Sequence, residues 1–419
     1  MLRHHVSVVI LALVMASTLE ISSDVQADSP TAGQFLGPDR NGVIPATGLL
    51  SDWPAGGPNV AWRVPGGVGM SGVAIADQMA LTLWNSNEGQ VLAALRLKDG
   101  SQEWTTGLSP NYENGMGNGP RATPTVDGER VFAYTGEGTL VCVQLTDGKV
   151  IWRKPLVREF AGKPAEYGMA CSPLVVGDLV IVTVGGRGHA VVALDKASGE
   201  FRWGAADGKP GYASPALLTI AGEPQVVAFT GLGVTGIRPA DGSLLWQFPF
   251  PTPYDCNTAT PIEVDGNVFI SSGENHGCVM LSVSKQGPRY ETGIVWESVD
   301  VKSVMRNEWQ TSVEIDGYLY GFDNVGSAGP VTHLTCIDAK TGETQWRRTR
   351  FGKGNLVAAD GKLWVTTMEG ELVLIKVSPE EYVELGRKKL FGKTRQALAI
   401  AGGRGLIRDD AEVVCIEID

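Results

Sequence analysis

Cysteine is scarce in this chain: six residues in 419, no two of them adjacent and none in a CxxC pair. That leaves no disulfide scaffold, no CxxC-type zinc or thioredoxin site and no vicinal disulfide. Basic charge is in deficit. Lys+Arg number 35 against 46 Asp+Glu, a net charge of −11, which argues against a binder of nucleic-acid backbones. The motifs GxxxxGK[ST], HExxH and GxSxG are absent. Long helical periodicity is missing too. The longest apolar run, residues 6–19, is too short to span a bilayer.

Glycine, by contrast, is abundant at 54 residues, and 43% of the chain is hydrophobic. Frequent turns around a full core are implied, not disorder. Residues 1–27 read as a signal peptide. Arg3, His4 and His5 form its charged start, residues 6–19 its apolar centre, and Val25-Gln26-Ala27 its cleavage site. No cysteine lies near the cleavage point to carry a lipid. The mature chain is therefore expected to begin at Asp28, in the periplasm or outside the cell. Residues 28–59 read as a lead-in and 60–419 as one domain.

The tryptophans reveal a repeat. Trp62, Trp104, Trp152, Trp203, Trp246, Trp296 and Trp346 fall 42, 48, 51, 43, 50 and 50 residues apart. Five share one eleven-residue frame. Ala94-Leu95-Arg96, then Asp99-Gly100, leads to Trp104, and Cys142-Val143-Gln144, then Asp147-Gly148, leads to Trp152. Ala193-Leu194-Asp195 with Ser198-Gly199 precedes Trp203. Gly236-Ile237-Arg238 with Asp241-Gly242 precedes Trp246, and Cys336-Ile337-Asp338 with Thr341-Gly342 precedes Trp346. An alternating run, a glycine turn and a second run make a hairpin. The flat ring beyond the turn can lock one unit to the next.

Another strand pair precedes each frame, as in Ala122-Thr123-Pro124, Ser172-Pro173 and Thr260-Pro261 with their following Gly-containing turns. Four short strands, A to D, in each unit of this length make a propeller blade. First strands near Gly72, Ala122, Cys171, Ala213, Ala259, Thr311, Asn355 and Ala397 count eight units. The eighth lacks a fourth strand, and Val60-Ala61-Trp62-Arg63 has no blade of its own. The N-terminal strand is expected to close the ring, removing exposed sheet edges. The fold class is thus all-β, an eight-bladed propeller of four-stranded antiparallel blades. Two units depart from the frame. In the fifth, Thr292-Gly293 stands one residue too close to Trp296. The seventh has no tryptophan, and its last strand runs through Val383 and Leu385.

The frame Ala-x-Asp-x-x-Thr-Gly-x-x-x-Trp resembles the docking motif of quinoprotein-type propellers. Residues 193–203 match it with Ser198 for the threonine, and residues 336–346 match it with cysteine for the alanine. The chain is therefore similar to PQQ-like (pyrroloquinoline quinone) repeat proteins. In size and blade count it resembles BamB-type outer-membrane assembly factors. The stretch from Gln34 through Gly37-Pro38-Asp39-Arg40-Asn41-Gly42 to Val43 also resembles the lead-in of exported members. For the enzymes of the wider family, the resemblance implies PQQ and calcium at the axis and oxidation of alcohols or aldose sugars. Their calcium-binding Glu and Asn and their catalytic Asp have no matching positions here, so no catalytic residue is carried over.

Cys142, Cys336 and Cys415 share a third-strand position with Ala94, Ala193 and Gly236, as small buried residues. Cys171 begins a strand. Cys256 and Cys278 lie toward one face, where a disulfide is possible. Loops between strands D and A and between B and C converge on that face. They carry Arg121, Arg187, His189, Asp255, Asn257, Glu274, His276, Asn307 and Asp323. Asp255, Glu274, His276 and Asp323 could supply metal ligands, or be ordinary solvated loop residues. A basic run spans Arg347-Arg348, Arg350, Lys353, Arg387-Lys388-Lys389 and Lys393. The tryptophan series is read as structural. These readings point to a monomeric, non-catalytic binding or scaffold protein with a protein or peptide partner in the envelope, no nucleic-acid partner and no cofactor. The alternatives are an oxidoreductase using PQQ with calcium, and an envelope carbohydrate-binding module.

Overall fold

The computed structural model describes Met1 and residues 32–419, apart from residues 55 and 328. The proposed leader, beyond Met1, lies outside the described residues. Eight sheets follow one another, each built on four antiparallel strands; the sheet of blade seven carries a fifth, two-residue parallel strand, Val43–Ile44, from the lead-in. Their innermost strands are Ala74–Ala76, Thr125–Asp127, Leu174–Val176, Ala216–Ile220, Ile262–Val264, Val313–Ile315, Gly354–Ala359 and Ala399–Ala401. These strands neighbour one another around a central axis. The strand Val60–Pro65 pairs with Glu412–Glu417 and closes the eighth blade, as its sequence position implies.

The repeated frame has a bond for each part. Asp195 Oδ1 accepts the N–H groups of Ala197 and Ser198 and the Ser198 hydroxyl. Asp338 repeats this with Lys340 and Thr341. Those bonds form the tight turn that Gly199 and Gly342 complete with φ near +70°. The preceding blade's tryptophan lies flat on that glycine. Trp152 covers Gly199 and Trp296 covers Gly342, so a Cβ there would meet the ring at about 2.8 Å. Each indole N–H then donates to the next blade: Trp62 to Leu97 O, Trp104 to Leu145 O, Trp152 to Lys196 O, Trp203 to Pro239 O, Trp296 to Ala339 O and Trp346 to Ser378 O, all at 2.8–3.2 Å. Docking therefore joins an apolar stack to a satisfied donor.

Trp246 differs. Its N–H donates to Gln225 Oε1 within its own blade at 2.7 Å. The cause lies in blade five, whose outer hairpin, Gly277–Gln286 with Arg289–Val299, turns at Gly287. Thr292-Gly293 is thus inside a strand and is not the turn that its spacing suggested. The long hairpin reaches back instead, where Tyr290 and Lys285 both bond Glu223 of blade four. Blade seven solves its missing tryptophan from outside. Gly386 takes the frame's tryptophan position, paired with Leu374 beside the usual bulge. Trp53 of the lead-in lays its ring there, 2.8 Å from where a Gly386 Cβ would stand.

A second, inner lock joins the blades. The hydroxyls ahead of the inner strands accept N–H groups from the preceding blade: Thr123 N–H to Ser172, Ser172 N–H to Ser214, Thr260 N–H to Thr311. The lead-in then fills the axis. Ala32 O and Gly33 O accept from Ile75 and Val126, and Gly42 O accepts from Ala358. Val43–Ile44 pairs in parallel with the inner strand of blade seven.

Candidate functional site

Arg40 is the pivot of that axial segment and is almost wholly buried. Its guanidinium donates to the carbonyls of Ser172 and Pro215 (3.0 Å each) and Pro173, to Thr125 Oγ1, and to Gln34 Oε1 at 2.8 Å. Every acceptor is neutral. Burial pulls its pKa down to about 9. The segment contacts the inner walls of blades one to four and seven, so the axis is closed by the chain's own residues.

Above it lies a bowl of about 400 Å³ with Phe35 of the lead-in in its lining. A simple rule builds the wall. In five blades the residue two positions before a Ser or Thr ahead of the inner strand faces the bowl: Arg121, Ala170, Tyr212, Thr258 and Trp309; Met70 and Arg395 hold the same place before Gly72 and Ala397. Tyr167, Tyr254, Cys256, Glu274 and Glu308 complete it, and the loop after blade one adds Met116. Tyr167 stacks with Tyr212 at 5.8 Å between ring centres and meets Tyr254 at 6.4 Å.

Charge divides the bowl. On one side Glu308 pairs with Lys353 at 2.6 Å, and Glu274 accepts from Ser327 at 2.6 Å. Burial raises the Glu308 pKa, against the pull of Lys353. Burial, helped by Glu274 and Glu308, pushes the Cys256 thiol up to about 12, so it is a protonated, unreactive lining group. Arg121 and Arg395 are the bowl's cations, and Arg395 reaches the acidic side over Trp309. Arg121 donates to the carbonyls of Gly119 and Gly117, and Arg395 to Met116 O and Met70 Sδ. Lys353 and Arg395 both lie over the Trp309 ring, at 4.3 and 4.8 Å.

Of the nine loop residues marked from sequence, Arg121 and Glu274 line the bowl; the other seven do not. Asn257 is buried, bonding Thr230 O and Phe250 O. Asn307 bonds Phe322 O and Ser312. Asp323 is buried in a pair with Arg306 at 2.7 Å, with Arg347 at 3.5 Å. Asp255 pairs with Lys209. His189 stacks on Phe160, His276 meets Phe250 edge-on, and Arg187 is exposed. The suggested ligand set Asp255, Glu274, His276 and Asp323 is therefore dispersed, with three members engaged elsewhere. Cys256 and Cys278 are both free. Their surroundings explain it: Cys278 packs among Met280 and Met305, whereas Cys256 packs toward the blade-two and blade-three cluster. In the basic run, Arg347 pairs with Asp323, Lys353 with Glu308, and Arg387 with Glu371 and Glu384.

PQQ with calcium, the alternative implied by the resemblance, does not fit these residues. Calcium takes six to eight oxygens, several from carboxylates. Among the described residues, no three His, Cys, Asp or Glu side chains converge. The bowl's two carboxylates are already bonded to Lys353 and Ser327.

The fold and the site define a ring-closed, eight-bladed propeller with a blocked axis and one mixed aromatic and charged bowl. Residues 87–321, more than half of the chain, match the family profile described as outer membrane protein assembly factor BamB, and the chain belongs to that family. The outer membrane protein assembly factor BamB of Yersinia pestis is 21% identical over 316 residues, 73% of this chain and 76% of that protein. The crystal structure of BamB from Moraxella catarrhalis superposes with a TM-score of 0.59 at 15% identity, covering 86% of this chain and 98% of that one. Quinohemoprotein alcohol dehydrogenase from Comamonas testosteroni superposes with a TM-score of 0.67 at 12% identity, covering 93% and 80%. At these identities the structural likenesses establish the fold alone.

Proposed function

We propose that the protein is a non-catalytic binding or scaffold propeller of the cell envelope, exported by residues 1–27 and acting as a monomer on a protein or peptide partner. The carrying observation is the axis itself: Arg40 and the lead-in fill the place where a propeller would seat a deep cofactor, leaving an open bowl lined by aromatic and charged side chains. Membership of the BamB family supports the scaffold role. Of the described helices, none is long and apolar enough to cross a membrane. On this reading residues 28–59 belong functionally with the propeller at 60–419, because residues 32–44 pack along its axis and Trp53 fills blade seven.

The test is photo-crosslinking in the envelope, with a reactive residue placed at Tyr254 on the rim or at Asp147, in the turn between the third and fourth strands of blade two on the opposite face. A discrete adduct at Tyr254 and none at Asp147 is the expected result. Saturable binding of PQQ plus calcium to the purified chain, with dye reduction on adding an alcohol, would overturn the non-catalytic reading.

A further inference from the structure

The bowl's two arginines are not balanced by any carboxylate within ion-pairing distance among the described residues. A guanidinium carries five N–H donors. Arg121 uses two on Gly119 and Gly117, and Arg395 turns one nitrogen to Met116 O and Met70 Sδ. The Arg395 Nε is buried and has no partner. The two cations are also close to one another. Both are held on the same loop, residues 116–121, and burial first, then the Arg395 charge, lower the Arg121 pKa to about 10.

The positive side continues next door. A smaller cavity of about 190 Å³ shares Met70, Met116, Arg395 and Gln396 with the bowl. Its Arg408 is almost wholly buried, donates to the carbonyls of Gly66, Gly67 and Gly69, and has an unpartnered Nε. Asp409 there is occupied by the N–H groups of Gly392, Ala411 and Glu412. Asp410 acts on Arg395 and Arg408, Glu308 on Arg395 and Asp409 on Arg408, in each case through space and without an ion pair. Buried arginines without counter-ions are costly unless something supplies the missing charge.

We infer that the bowl binds a small aromatic monocarboxylate without a metal ion, its carboxylate between Arg121 and Arg395 and its ring against Met70, Met116 and Tyr212. The volume lies in the range of small-molecule sites, and such sites combine an apolar wall with a few convergent polar groups. A carboxylate is the planar acceptor that a guanidinium matches in two bonds. Of the bowl's acids, Glu308 is paired with Lys353 and Glu274 accepts the Ser327 hydroxyl, so neither takes up the two arginines in a direct ion pair.

The inference rests on the bowl being a binding face, but its test is separate. The full mature chain is titrated calorimetrically with 2-naphthoate and with the neutral 2-naphthalenemethanol. The expected result is saturable one-to-one binding of naphthoate, at least about tenfold tighter than the alcohol. Arg395→Gln and Arg121→Gln should each weaken naphthoate about tenfold and leave the alcohol unchanged, while Arg395→Lys keeps most of the affinity. Melting curves establish that each variant is folded. If Arg395→Gln does not fold, the comparison of Arg395→Lys and Arg121→Gln decides. Equal binding of acid and alcohol, no saturation at millimolar naphthoate, or wild-type affinity in the Gln variants would each overturn the proposal. Loss of naphthoate binding with a retained Tyr254 crosslink would remove this inference and leave the scaffold reading standing.

Discussion

Replacing Arg40 by methionine keeps much of its volume and removes every donor it brings to the axis. The carbonyls of Ser172 and Pro215 then lose its N–H groups, while Pro173 O retains the Thr125 hydroxyl at 2.6 Å. A buried acceptor left without a partner costs about 1–3 kcal/mol, so two such acceptors cost about 3 kcal/mol near the low middle of that range. For a chain of this length, unfolding entropy is on the order of 0.8 kcal/mol per degree, so the melting temperature should fall by about 4 °C. The release of the guanidinium's burial cost works in the other direction but is already offset in the native protein by its bonds to neutral acceptors. The assay is differential scanning calorimetry at pH 7, with limited proteolysis of residues 32–44 alongside. Arg40→Met should be both less stable and cut faster in that segment. A shift under about 1 °C with unchanged cleavage would refute the claim that Arg40 holds the axis closed.

Other perturbations follow from the same contacts. Trp53→Ala removes the ring that fills the blade-seven gap over Gly386. It should cost about 2 kcal/mol in urea unfolding, below a full core tryptophan because the ring is half exposed. Ser172→Ala leaves the Thr123 N–H unpaired and should cost about 1–2 kcal/mol by the same measurement. Asp323→Asn strands the buried Arg306 and should cost about 3–5 kcal/mol, which chemical denaturation would register as a lower midpoint. His276 is held below its ordinary pKa of 6.5 by burial, with Asp300 opposing. Its unfolded imidazole therefore takes a proton first, so stability is full above pH 6.5 and is lost as pH falls. The melting temperature should drop from pH 7 to pH 5, and less so in His276→Gln.

The ring was legible because its locks are periodic. A tryptophan, a turn glycine and an Asp that ties the turn recur in one frame, so blade count, closure by Val60–Pro65 and the docking role of six tryptophans follow from spacing. The exceptions were not legible at that level. Trp246 bonds Gln225 because the next blade's turn has moved outward, and that displacement depends on hairpin length, not on the frame. Trp53 lies outside the repeat altogether. For the bowl, polar loop residues were a weak signal that reached only Arg121 and Glu274. Asn257, Asn307 and Asp323 are polar because they satisfy buried backbone groups or a buried arginine. The useful signal was positional and present: two residues ahead of Thr123, Ser172, Ser214, Thr260 and Thr311 stand Arg121, Ala170, Tyr212, Thr258 and Trp309.

That positional rule separates what the repeat conserves in space from what it leaves free to vary. At the hydroxyl position Ser172, Ser214 and Thr311 each accept an N–H from the preceding blade, and that bond favours Ser or Thr there. Two residues earlier the side chain faces the bowl, and its bonds to neighbouring blades take no common form: Thr258 donates to Glu308 O, Tyr212 bonds Tyr167 and Tyr254, and Met70 accepts from Arg395. Methionine, arginine, alanine, tyrosine, threonine and tryptophan all occur there. The ring's rigidity is thus carried by one set of positions and its recognition chemistry by another, in the same loops. With the axis closed beneath by Arg40, ligand choice falls to the uneven distribution of those wall residues: aromatic around Tyr212, acidic around Glu308, and cationic at Arg121 and Arg395.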